Sequence, residues 1–390
     1  MIEAFRKPAE TFAQGARSLP QGYFVAPELF EEELDKIFAC HWVLVGHQSE
    51  VAKTGDYFLR DVADESIIIV RDKHEEVRAF YNVCRHRGTR LCDEERGHGA
   101  AIQCPYHAWT YGLDGRLIGA PHMDEVKGFN KEKFSLRPAK CELWEGFIFV
   151  NLDDDARPLA EWFAPLEGKF SQWSLPQLRS AKRVEYDVKA NWKLMFENYS
   201  ECYHCPGVHP MLSKVSPYDS AENDLTEGPF LGGFMKIHKG KSLTMSGDAC
   251  ALAIAPHHQD GDQVFYYSIF PNMLLSMHPD YVMVHQLWPQ SPERTMILCD
   301  WFFHPDAFNR DVFRPDDAVE FWDMTNKQDW HVCELSQQGI ASRAYEPGPY
   351  SSRESIPAAW DRDYLRQMGS GKRPTRLRKA TARQAPKPRR

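Results

Sequence analysis

Two short stretches, each pairing one cysteine with one histidine, constrain the fold of this chain more than any other feature. Cys84 and His86 form the first pair, Cys104 and His107 form the second, and seventeen residues separate the pairs. Two thiolates on one iron and two imidazoles on the other are the ligands of a Rieske [2Fe–2S] cluster, and the imidazoles raise its reduction potential. The two stretches therefore predict such a cluster, held in loops of a small β-domain.

Two simpler interpretations of the same four residues compete with the cluster. A structural Cys₂His₂ zinc site has its histidines about three to five residues apart on a short helix, whereas here each histidine lies beside its own cysteine. Unrelated buried cysteines and ordinary histidines would not be expected to form two matching pairs. The cluster is the favoured interpretation.

A second pair of histidines, His204 and His209, lies in the stretch that runs from Asn191 to Pro210. Two histidines and one carboxylate form the facial triad of non-haem iron sites, which leaves iron positions free for O₂ and substrate. Five residues along an ideal helix turn by about 500°, so the two rings would not share a face. Pro206-Gly207 is expected to break the helix between them and let His209 turn back. Two structural histidines near a helix end are the alternative, which the cluster residues elsewhere in the chain disfavour.

Over residues of about 40–345, these patterns resemble the Rieske non-haem iron oxygenases. The resemblance implies an α+β chain, in which a Rieske β-domain is followed by a helix-grip catalytic domain with an antiparallel sheet around a long helix. It also implies a mononuclear Fe(II) held by His204, His209 and a carboxylate on a late helix. The Asp-x₄-Glu pattern of Asp329 and Glu334 fits that carboxylate, and Asp323 is the alternative.

Glu201, three residues before His204, occupies the place where the family keeps a bridging carboxylate, usually an aspartate. In the family this residue links an iron-ligating histidine to a Rieske histidine of the next subunit, which implies a homo-oligomer and, by resemblance, a homotrimer. A carboxylate that accepts from the second N–H of a ligating histidine also orients its ring. Asn198 is expected to be a neighbour of this site.

The run from Glu201 to Cys205 resembles the branch of the family that acts on quaternary amines such as glycine betaine, carnitine, stachydrine and choline. A methylammonium group needs aromatic faces around it, because each attracts a cation by roughly 0.5–2 kcal/mol. Aromatic residues in a strand more often belong to the core, and an aromatic-ring-hydroxylating oxygenase for an aromatic acid is the main enzymatic alternative. Four residues are the candidates for such a box: Phe234, Tyr266, Tyr267 and Phe270.

Two other kinds of protein are also compatible with part of this sequence. A Rieske electron carrier would have no use for His204, His209 and Asp329, and a catalytically dead relative would not be expected to keep a complete ligand set. Iron content separates the three, with about three irons per chain in an oxygenase and two in a carrier. The glycines form no strand–GxGxxG–helix motif for a flavin or nicotinamide, so electrons are expected from a separate reductase that draws on NADH or NADPH.

The pattern of elements divides the chain into four parts. Residues 1–40 are expected to form a helical lead-in, 41–152 the Rieske domain, 153–368 the catalytic domain and 369–390 a disordered tail. Alternating and apolar runs predict strands and two helices within these parts. The predicted strands are Trp42–Gly46, Asp56–Arg60, Ile67–Arg71, Val77–Val83, Trp144–Asn151, Arg183–Lys189, Val264–Phe270, Met273–His278, Tyr281–Trp288 and Thr295–His304, and the helices are Leu159–Trp173 and Asp316–Ile340.

Composition bounds the remaining possibilities. From Gly369 to Arg390 there are nine Lys or Arg and no acidic residue, so the body is more acidic than the net charge of −8. A solvated basic tail is favoured over a nucleic-acid partner, since an acidic body does not suit phosphate binding. No run of about eighteen apolar residues predicts a membrane helix. Ten cysteines, only two of them in a ligand context, are typical of thiols in a reducing compartment and favour the cytoplasm.

Overall fold

The structure, a computed structural model, describes residues 4–254, 262–311 and 313–370. Short helices precede the first sheet, and the longer helices follow or cross the second. The helices are α1 (Pro8–Thr11), α2 (Gly22–Val25), α3 (Pro27–Glu33), α4 (Leu159–Trp162), α5 (Trp192–Tyr199), α6 (Cys205–Val208), α7 (Leu212–Val215), α8 (Pro315–Ile340) and α9 (Ser355–Ser370). A π-helical turn at Leu34–Phe38 continues α3, and 3₁₀ turns lie at Gln48–Val51, Met123–Glu125, Lys131–Phe134, Ala164–Leu166, Ser171–Trp173, Leu175–Gln177 and Pro305–Asn309.

The first half of the chain folds around an antiparallel sheet and a small three-stranded one. The strands are β1 (Val43–His47), β2 (Asp56–Val62), β3 (Glu65–Arg71), β4 (Val77–Tyr81), β5 (Arg96–His98), β6 (Ile102–Gln103), β7 (Thr110–Tyr111), β8 (Leu117–Gly119), β9 (Pro138–Trp144) and β10 (Phe147–Asn151). The larger sheet has the order β1-β10-β9-β4-β3-β2-β5, and β6, β7 and β8 form the smaller one.

Side-chain hydrogen bonds hold the hairpin between β3 and β4. Asp72 is fully buried, and its Oδ1 accepts from the backbone N–H groups of His74 and Glu76 at 2.8 and 3.0 Å. An aspartate that satisfies two turn amides is a strong determinant of a tight turn. These bonds stabilise the turn that begins at Asp72 and connects β3 to β4.

One predicted strand is divided in two by a turn. Residues 144–151 were expected to form a single buried strand, but Glu145 and Gly146 both have positive φ, 49° and 80°, and connect β9 to β10. A Cβ on Gly146 would lie 2.7 Å from His47 Nε2 and 2.7 Å from the Pro176 Cα. The close approach and the left-handed conformation together require glycine here.

The second half of the chain is built on another antiparallel sheet. Its strands are β11 (Arg179–Val188), β12 (Glu222–Leu225), β13 (Phe230–Lys236), β14 (Gln263–Ile269), β15 (Met273–Met277), β16 (Val282–Ser291) and β17 (Arg294–Phe303), in the order β11-β17-β16-β15-β14-β13-β12. One face packs against α8 and α5 in a core that includes Trp322 and Trp330. The other face packs against Trp42, Phe147 and Phe163. A sheet covered on both faces and crossed by a long helix confirms the α+β, helix-grip class.

Several elements differ from the sequence-based expectation. The predicted helix at 159–173 is a single turn, α4, followed by 3₁₀ turns, because Pro165 and Gly168 interrupt it. Helix α9 and strands β12 and β13 were not predicted. The predicted disordered tail lies outside the described residues, except for positions 369 and 370, which end α9.

Buried charged groups connect α5 to the N-terminal helices and to α9. Lys193 and Glu33 are both fully buried, with Nζ 2.5 Å from Oε1. Trp192 Nε1 and the Tyr364 hydroxyl also donate to the Glu33 carboxylate, at 2.8 and 2.6 Å. A buried ion pair persists only when such extra hydrogen bonds offset the loss of hydration. These contacts fix the direction of α5 and hence of the loop that follows it.

The half-buried carboxyl group of Glu197 on α5 and the buried one of Asp361 on α9 interact behind this pair. Burial raises the pKa of Asp361 to about 7, although the Tyr350 hydroxyl and the Lys193 charge oppose the rise. Burial, followed by the Asp361 charge, raises the pKa of Glu197 well above its ordinary value. The pair therefore shares a proton in the folded state, held on Glu197 and donated to Asp361.

We expect Glu197→Gln to stabilise the protein at pH 8 and to change it little at pH 5. A carboxyl whose pKa is raised on folding stabilises the fold below its unfolded pKa, and that contribution is lost as pH rises through the folded pKa. An amide keeps a donor for Asp361 at every pH, so the variant should gain about 1–2 kcal/mol at pH 8. Urea unfolding at both pH values measures this, with Glu320→Gln on exposed α8 surface as control. An equal gain at pH 5 would contradict the shared-proton interpretation.

Candidate active site

The two predicted cysteine–histidine pairs lie in two matching loops. Cys84 follows β4 and Cys104 follows β6, and both thiols are buried. The Gly88 N–H donates to the Cys84 carbonyl at 3.0 Å, and the Ala108 N–H donates to the Cys104 carbonyl at 3.1 Å. Each loop thereby turns back after its cysteine. The structure places the two cysteines at the base of the loops.

The two histidines of these loops lie together on the outer side. His86 is exposed and His107 half-buried, and their ring centroids are 4.7 Å apart. Trp109 stacks on the His86 ring at 4.8 Å. The four predicted ligands thus separate into an inner pair of thiols and an outer pair of imidazoles, as two irons with different ligands require.

Hydrogen-bond donors surround the thiols. The Tyr111 hydroxyl accepts from the Arg85 N–H at 3.0 Å and lies 3.3 Å from the Cys84 sulfur, where it can donate to a thiolate. Burial tends to raise the pKa of Cys104, but the backbone N–H groups of Tyr106 and His107 more than offset it and lower the pKa. Paired thiols with donors directed at them fit a [2Fe–2S] cluster, since metal-bound cysteines are thiolates.

The loop after α5 carries the second pair of histidines. Asn191 caps α5 by accepting from the Lys193 N–H at 3.1 Å, and the helix ends at Tyr199. His204 immediately precedes the single-turn helix α6, and His209 immediately follows it. The expected helix break at Pro206 is therefore wrong. Pro206 lies in the first turn of α6, where a residue without an N–H fits, and the break comes earlier, between Tyr199 and His204.

Three predicted ligands come together at this point. His204 Nε2 lies 3.2 Å from His209 Nε2, and Asp329 Oδ1 on α8 lies 3.3 Å from the first ring and 2.8 Å from the second. One ligand atom from each residue lies within 4.8 Å of the others. Asp323 is not part of this group, because it accepts from the Tyr186 hydroxyl at 3.0 Å and pairs with Lys327 at 2.6 Å.

Each histidine is oriented by its other ring nitrogen. His204 Nδ1 lies 2.6 Å from Glu201 Oε1, and His209 Nδ1 lies 2.8 Å from Gln328 Oε1. Because an acceptor faces Nδ1 of each ring, the Nε2 atoms of both rings point toward Asp329, as in most protein metal sites. The sequence analysis did not predict this role of Gln328, although the residue lies next to the candidate ligand Asp329.

The charge balance of the three residues suits a divalent cation. Burial alone would lower the pKa of His204, but its hydrogen bonds to Asp329 and Glu201 raise the pKa to about 10. Burial would raise the pKa of Asp329, yet hydrogen bonds from both histidines lower it. Without metal the group therefore holds an extra proton, and a cation that binds to two imidazoles and a carboxylate displaces it. The residues fit a mononuclear iron with open positions.

A cavity of about 340 Å³ opens beside the three residues. Its wall is formed by the start of α1, by α5 and the loop after it, by β13, β14 and β16, and by one face of α8. This volume suits a small-molecule ligand. Asn198 lines the cavity, as does Glu201.

The predicted aromatic box is only partly present, because successive residues of a strand point to opposite faces. Tyr266 lines the cavity, whereas Tyr267 is buried on the other face and donates to Asp224 at 3.1 Å. Phe270 is buried against His41 and is not among the cavity residues. Phe234 borders the cavity, but its ring packs on Phe5 at 4.8 Å. Neither Tyr267 nor Phe270 is among the residues that line the cavity.

The rings that accompany Tyr266 were missed in the sequence. Tyr199 on α5 lies 6.0 Å from Tyr266 between centroids, and Trp322 on α8 lies 6.4 Å from it. Trp330, also on α8, completes this part of the wall. Trp322, Thr325, Asn326, Asp329 and Trp330 follow one another at helical spacings of three and four residues, so they share one face of α8. This spacing could have indicated in the sequence that Trp322 and Trp330 lie on the same face as Asp329. These four rings, Tyr199, Tyr266, Trp322 and Trp330, are called the aromatic wall below.

Two other expectations can be compared with the structure. Cys202 and Cys205 were expected to be free thiols, but they form a disulfide on either side of His204. The reason is local, since the short loop into α6 brings their Cα atoms within 4.9 Å. In the described ranges, no helix has both the length and the apolar character that a bilayer span needs.

Family comparisons agree with these two sites. Residues 41–130 match the Rieske [2Fe-2S] domain, and residues 175–370 match the ring hydroxylating alpha subunit catalytic domain. The glycine betaine monooxygenase oxygenase subunit of Chromohalobacter salexigens is 32% identical over 374 residues, which cover 87% of this chain and 82% of the relative. The carnitine monooxygenase oxygenase subunit of Escherichia coli K12 is 31% identical over 349 residues, with 85% and 86% covered.

Solved structures give the same result. The quaternary ammonium Rieske monooxygenase CntA is 28% identical, with a TM-score of 0.79 over 94% of this chain and all of that chain. Naphthalene 1,2-dioxygenase from Rhodococcus, at 20% identity and a TM-score of 0.73, shares the fold. With both domain models matched in the same order, the chain belongs to the Rieske non-haem iron oxygenases and is an alpha, or terminal oxygenase, subunit.

Proposed function

We propose that this oxygenase hydroxylates or oxidatively N-demethylates a small quaternary amine of the betaine type. The observation that carries the proposal is the aromatic wall beside the three predicted iron ligands. In this wall the Tyr266 ring lies edge to face with Tyr199 at 6.0 Å and with Trp322 at 6.4 Å between centroids. Ring faces attract a methylated ammonium group without requiring a hydrogen bond, which such a group cannot donate. The oxygenase subunits for glycine betaine and carnitine that resemble the chain support the same class.

The charges around the cavity also suit a zwitterion. Glu201 and Asp329 line it with half-buried carboxylates, whereas Lys7 and Arg353 line it at exposed positions. A cationic head would then point inward, and a carboxylate would remain near the two basic side chains. An aromatic acid could use the same mouth, but it would bring no positive charge to the aromatic wall.

Oxygen uptake with a surrogate reductase tests this function. Glycine betaine, carnitine and choline form one panel, and benzoate-type aromatic acids form the other. We expect substrate-dependent O₂ consumption, coupled to product, in the first panel. Coupled consumption only with aromatic acids would overturn the proposal in favour of ring hydroxylation.

The chain's own residues have distinct roles in this reaction. When bound, the mononuclear iron supplies O₂ activation and the Rieske cluster supplies electrons one at a time. His204, His209 and Asp329 would hold the iron, with Glu201 and Gln328 orienting the two rings. Cys84, Cys104, His86 and His107 would hold the cluster. The aromatic wall would keep water from the substrate's methyl groups.

We further propose that Glu201 connects neighbouring subunits of a homotrimer. Oε1 faces His204 Nδ1, Oε2 accepts from the backbone N–H groups of Tyr203 and His204, and the side chain keeps 11% of its surface exposed in a single chain. That exposure leaves room for a donor from another subunit, such as a Rieske histidine, whose ring lies on an outer loop. Asn198, a cavity residue on the same helix, would be a neighbour of this bridge.

The remaining partners follow from the family. Electrons would come from NADH or NADPH through a separate reductase, and the substrate is a small molecule. We place the enzyme in the cytoplasm, because six cysteines besides the proposed cluster ligands are free thiols and only Cys202 and Cys205 are paired. We propose no nucleic-acid or membrane partner.

We expect Tyr266→Leu to weaken substrate binding by about 3–30-fold, the range of one cation–π contact. The ring should act mainly on affinity, so KM should change more than kcat. Tyr267→Phe is the control from the same strand, since Tyr267 faces away from the cavity. Titration of the substrate into the iron-loaded enzyme measures both variants. An equal loss in Tyr267→Phe would point to a general disturbance of the sheet instead.

A further inference from the structure

A chain of hydrogen bonds leads from the outer side of α8 to the cavity wall on β16. Lys327 Nζ lies 2.6 Å from Asp323 Oδ2, and the Tyr186 hydroxyl lies 3.0 Å from Asp323 Oδ1. Asn326 Nδ2 lies 3.3 Å from the Tyr186 oxygen, and Asn326 Oδ1 lies 3.3 Å from His285 Nε2. The last three residues, Tyr186, Asn326 and His285, are buried.

The Asp323 carboxylate determines the direction of every later hydrogen bond in this series. The Asp323 carboxylate, paired with a lysine, can only accept, so Tyr186 gives its single O–H to Asp323. The Tyr186 oxygen must then accept from the Asn326 amide nitrogen. The amide orientation is thereby fixed, with its carbonyl oxygen toward His285. Because that oxygen only accepts, His285 carries its proton on Nε2.

His285 therefore presents a bare acceptor at Nδ1. A neutral imidazole has one donor and one acceptor nitrogen, and burial lowers the pKa of His285 to about 4, although Asn326 and the Asp329 charge oppose the shift. The ring lines the cavity and stands edge-on to Trp330, with 5.8 Å between centroids. Nδ1 is buried and has no hydrogen-bond partner among the residues that the structure describes.

A buried acceptor without a partner is destabilising, and a bound ligand that donates to it removes that cost. A quaternary ammonium group has no N–H, and a carboxylate is an acceptor only. Among the groups of small betaine-type molecules, a hydroxyl is thus the one that can donate. We propose that His285 Nδ1 accepts from a hydroxyl on the substrate and so makes the site selective for hydroxylated quaternary amines. This inference rests on the proposed function and specifies its substrate class.

Two ligands that differ by one hydroxyl group test the proposal directly. Carnitine carries the hydroxyl, and γ-butyrobetaine is the same molecule without it. Each is titrated into anaerobic, iron-loaded enzyme, with tryptophan fluorescence or heat as the signal, and turnover is measured separately. We expect wild-type enzyme to bind carnitine about tenfold more tightly, as one hydrogen bond to a buried group allows. Equal affinities, as expected if a cavity water fills the acceptor instead, would overturn the proposal.

Variants of the acceptor refine the same test. His285→Leu removes Nδ1, and the affinity ratio should fall to about 1 while γ-butyrobetaine still binds. His285→Asn places an amide oxygen near the position of Nδ1 and should restore part of the ratio. A ratio that survives in His285→Leu would assign the discrimination to another residue. If neither compound binds to wild-type enzyme, the proposed quaternary-amine function itself fails, which is a different outcome from equal binding.

Discussion

Asp329→Ala is expected to leave about two of three irons per chain and to reduce turnover below detection. The Asp329 carboxylate oxygen lies within 3.3 Å of both histidine nitrogens, and it provides the negative charge among the three ligands. Two imidazoles alone should not retain iron against a chelator. Iron analysis and coupled oxygen uptake measure the two effects. The visible absorption of the Rieske cluster should not change, because its predicted ligands lie in loops of the other sheet.

Asp323→Ala is the matched control on the same helix. Asp323 lies six residues earlier and contacts Tyr186 and Lys327, so its loss should leave the iron content near wild type. Full iron in Asp329→Ala together with loss of iron in Asp323→Ala would transfer the ligand role to Asp323. That result would also require α8 to rotate relative to the structure.

Glu201→Gln is expected to retain both metal centres and yet to form about 10–100-fold less product, the usual effect of losing an outer partner of a metal ligand. A glutamine oxygen can still accept from His204 Nδ1, which the Glu201 carboxylate does at 2.6 Å. The amide has no charge, however, and its NH₂ end cannot accept a second N–H from another subunit. The variant therefore keeps the His204 ring contact and tests the second carboxylate oxygen, which also accepts from the backbone N–H groups of Tyr203 and His204.

A single turnover of pre-reduced enzyme with substrate and O₂ measures this effect as product per active site. Reduction of the Rieske cluster by a chemical donor should remain fast in the variant. Glu334→Gln is the control, since Glu334 is a helix carboxylate that accepts from the Lys189 N–H at 2.9 Å, away from the metal residues. Glu201→Asp should recover part of the yield, because the family's usual bridge is an aspartate. A wild-type yield in Glu201→Gln would refute the bridge.

Much of the fold class could be predicted, because hydrophobic alternation reports strands and the 3.6-residue period reports a long amphipathic helix. The late helix begins at Pro315, one residue before its predicted start, and ends at Ile340 as predicted. Short elements were harder. The strand β12 has four residues, too few for a periodic signal, and α9 follows a stretch with no strong start signal.

The candidate site shows the same division. The cysteine–histidine pairs were recognisable because both members of each pair lie within four residues, and local sequence carries that geometry. The choice between Asp323 and Asp329 required the structure, since six residues along a helix turn the side chain by about 600° and so to another direction. The two neighbouring tyrosines on β14 had equal claims in the sequence, and only the sheet register decided that Tyr266 faces the cavity.

The sequence by itself determined which chemistry this protein can support, because ligand identity and close spacing survive in a linear chain. It also determined the class of fold, because periodicity is local. Only the tertiary structure decided what surrounds that chemistry. The aromatic wall combines residues from α5, β14 and α8, and the proton position on His285 depends on Asp323 of α8 through Tyr186 of β11 and Asn326 of α8. Such contacts depend on the packing of elements far apart in sequence, and no local pattern encodes them.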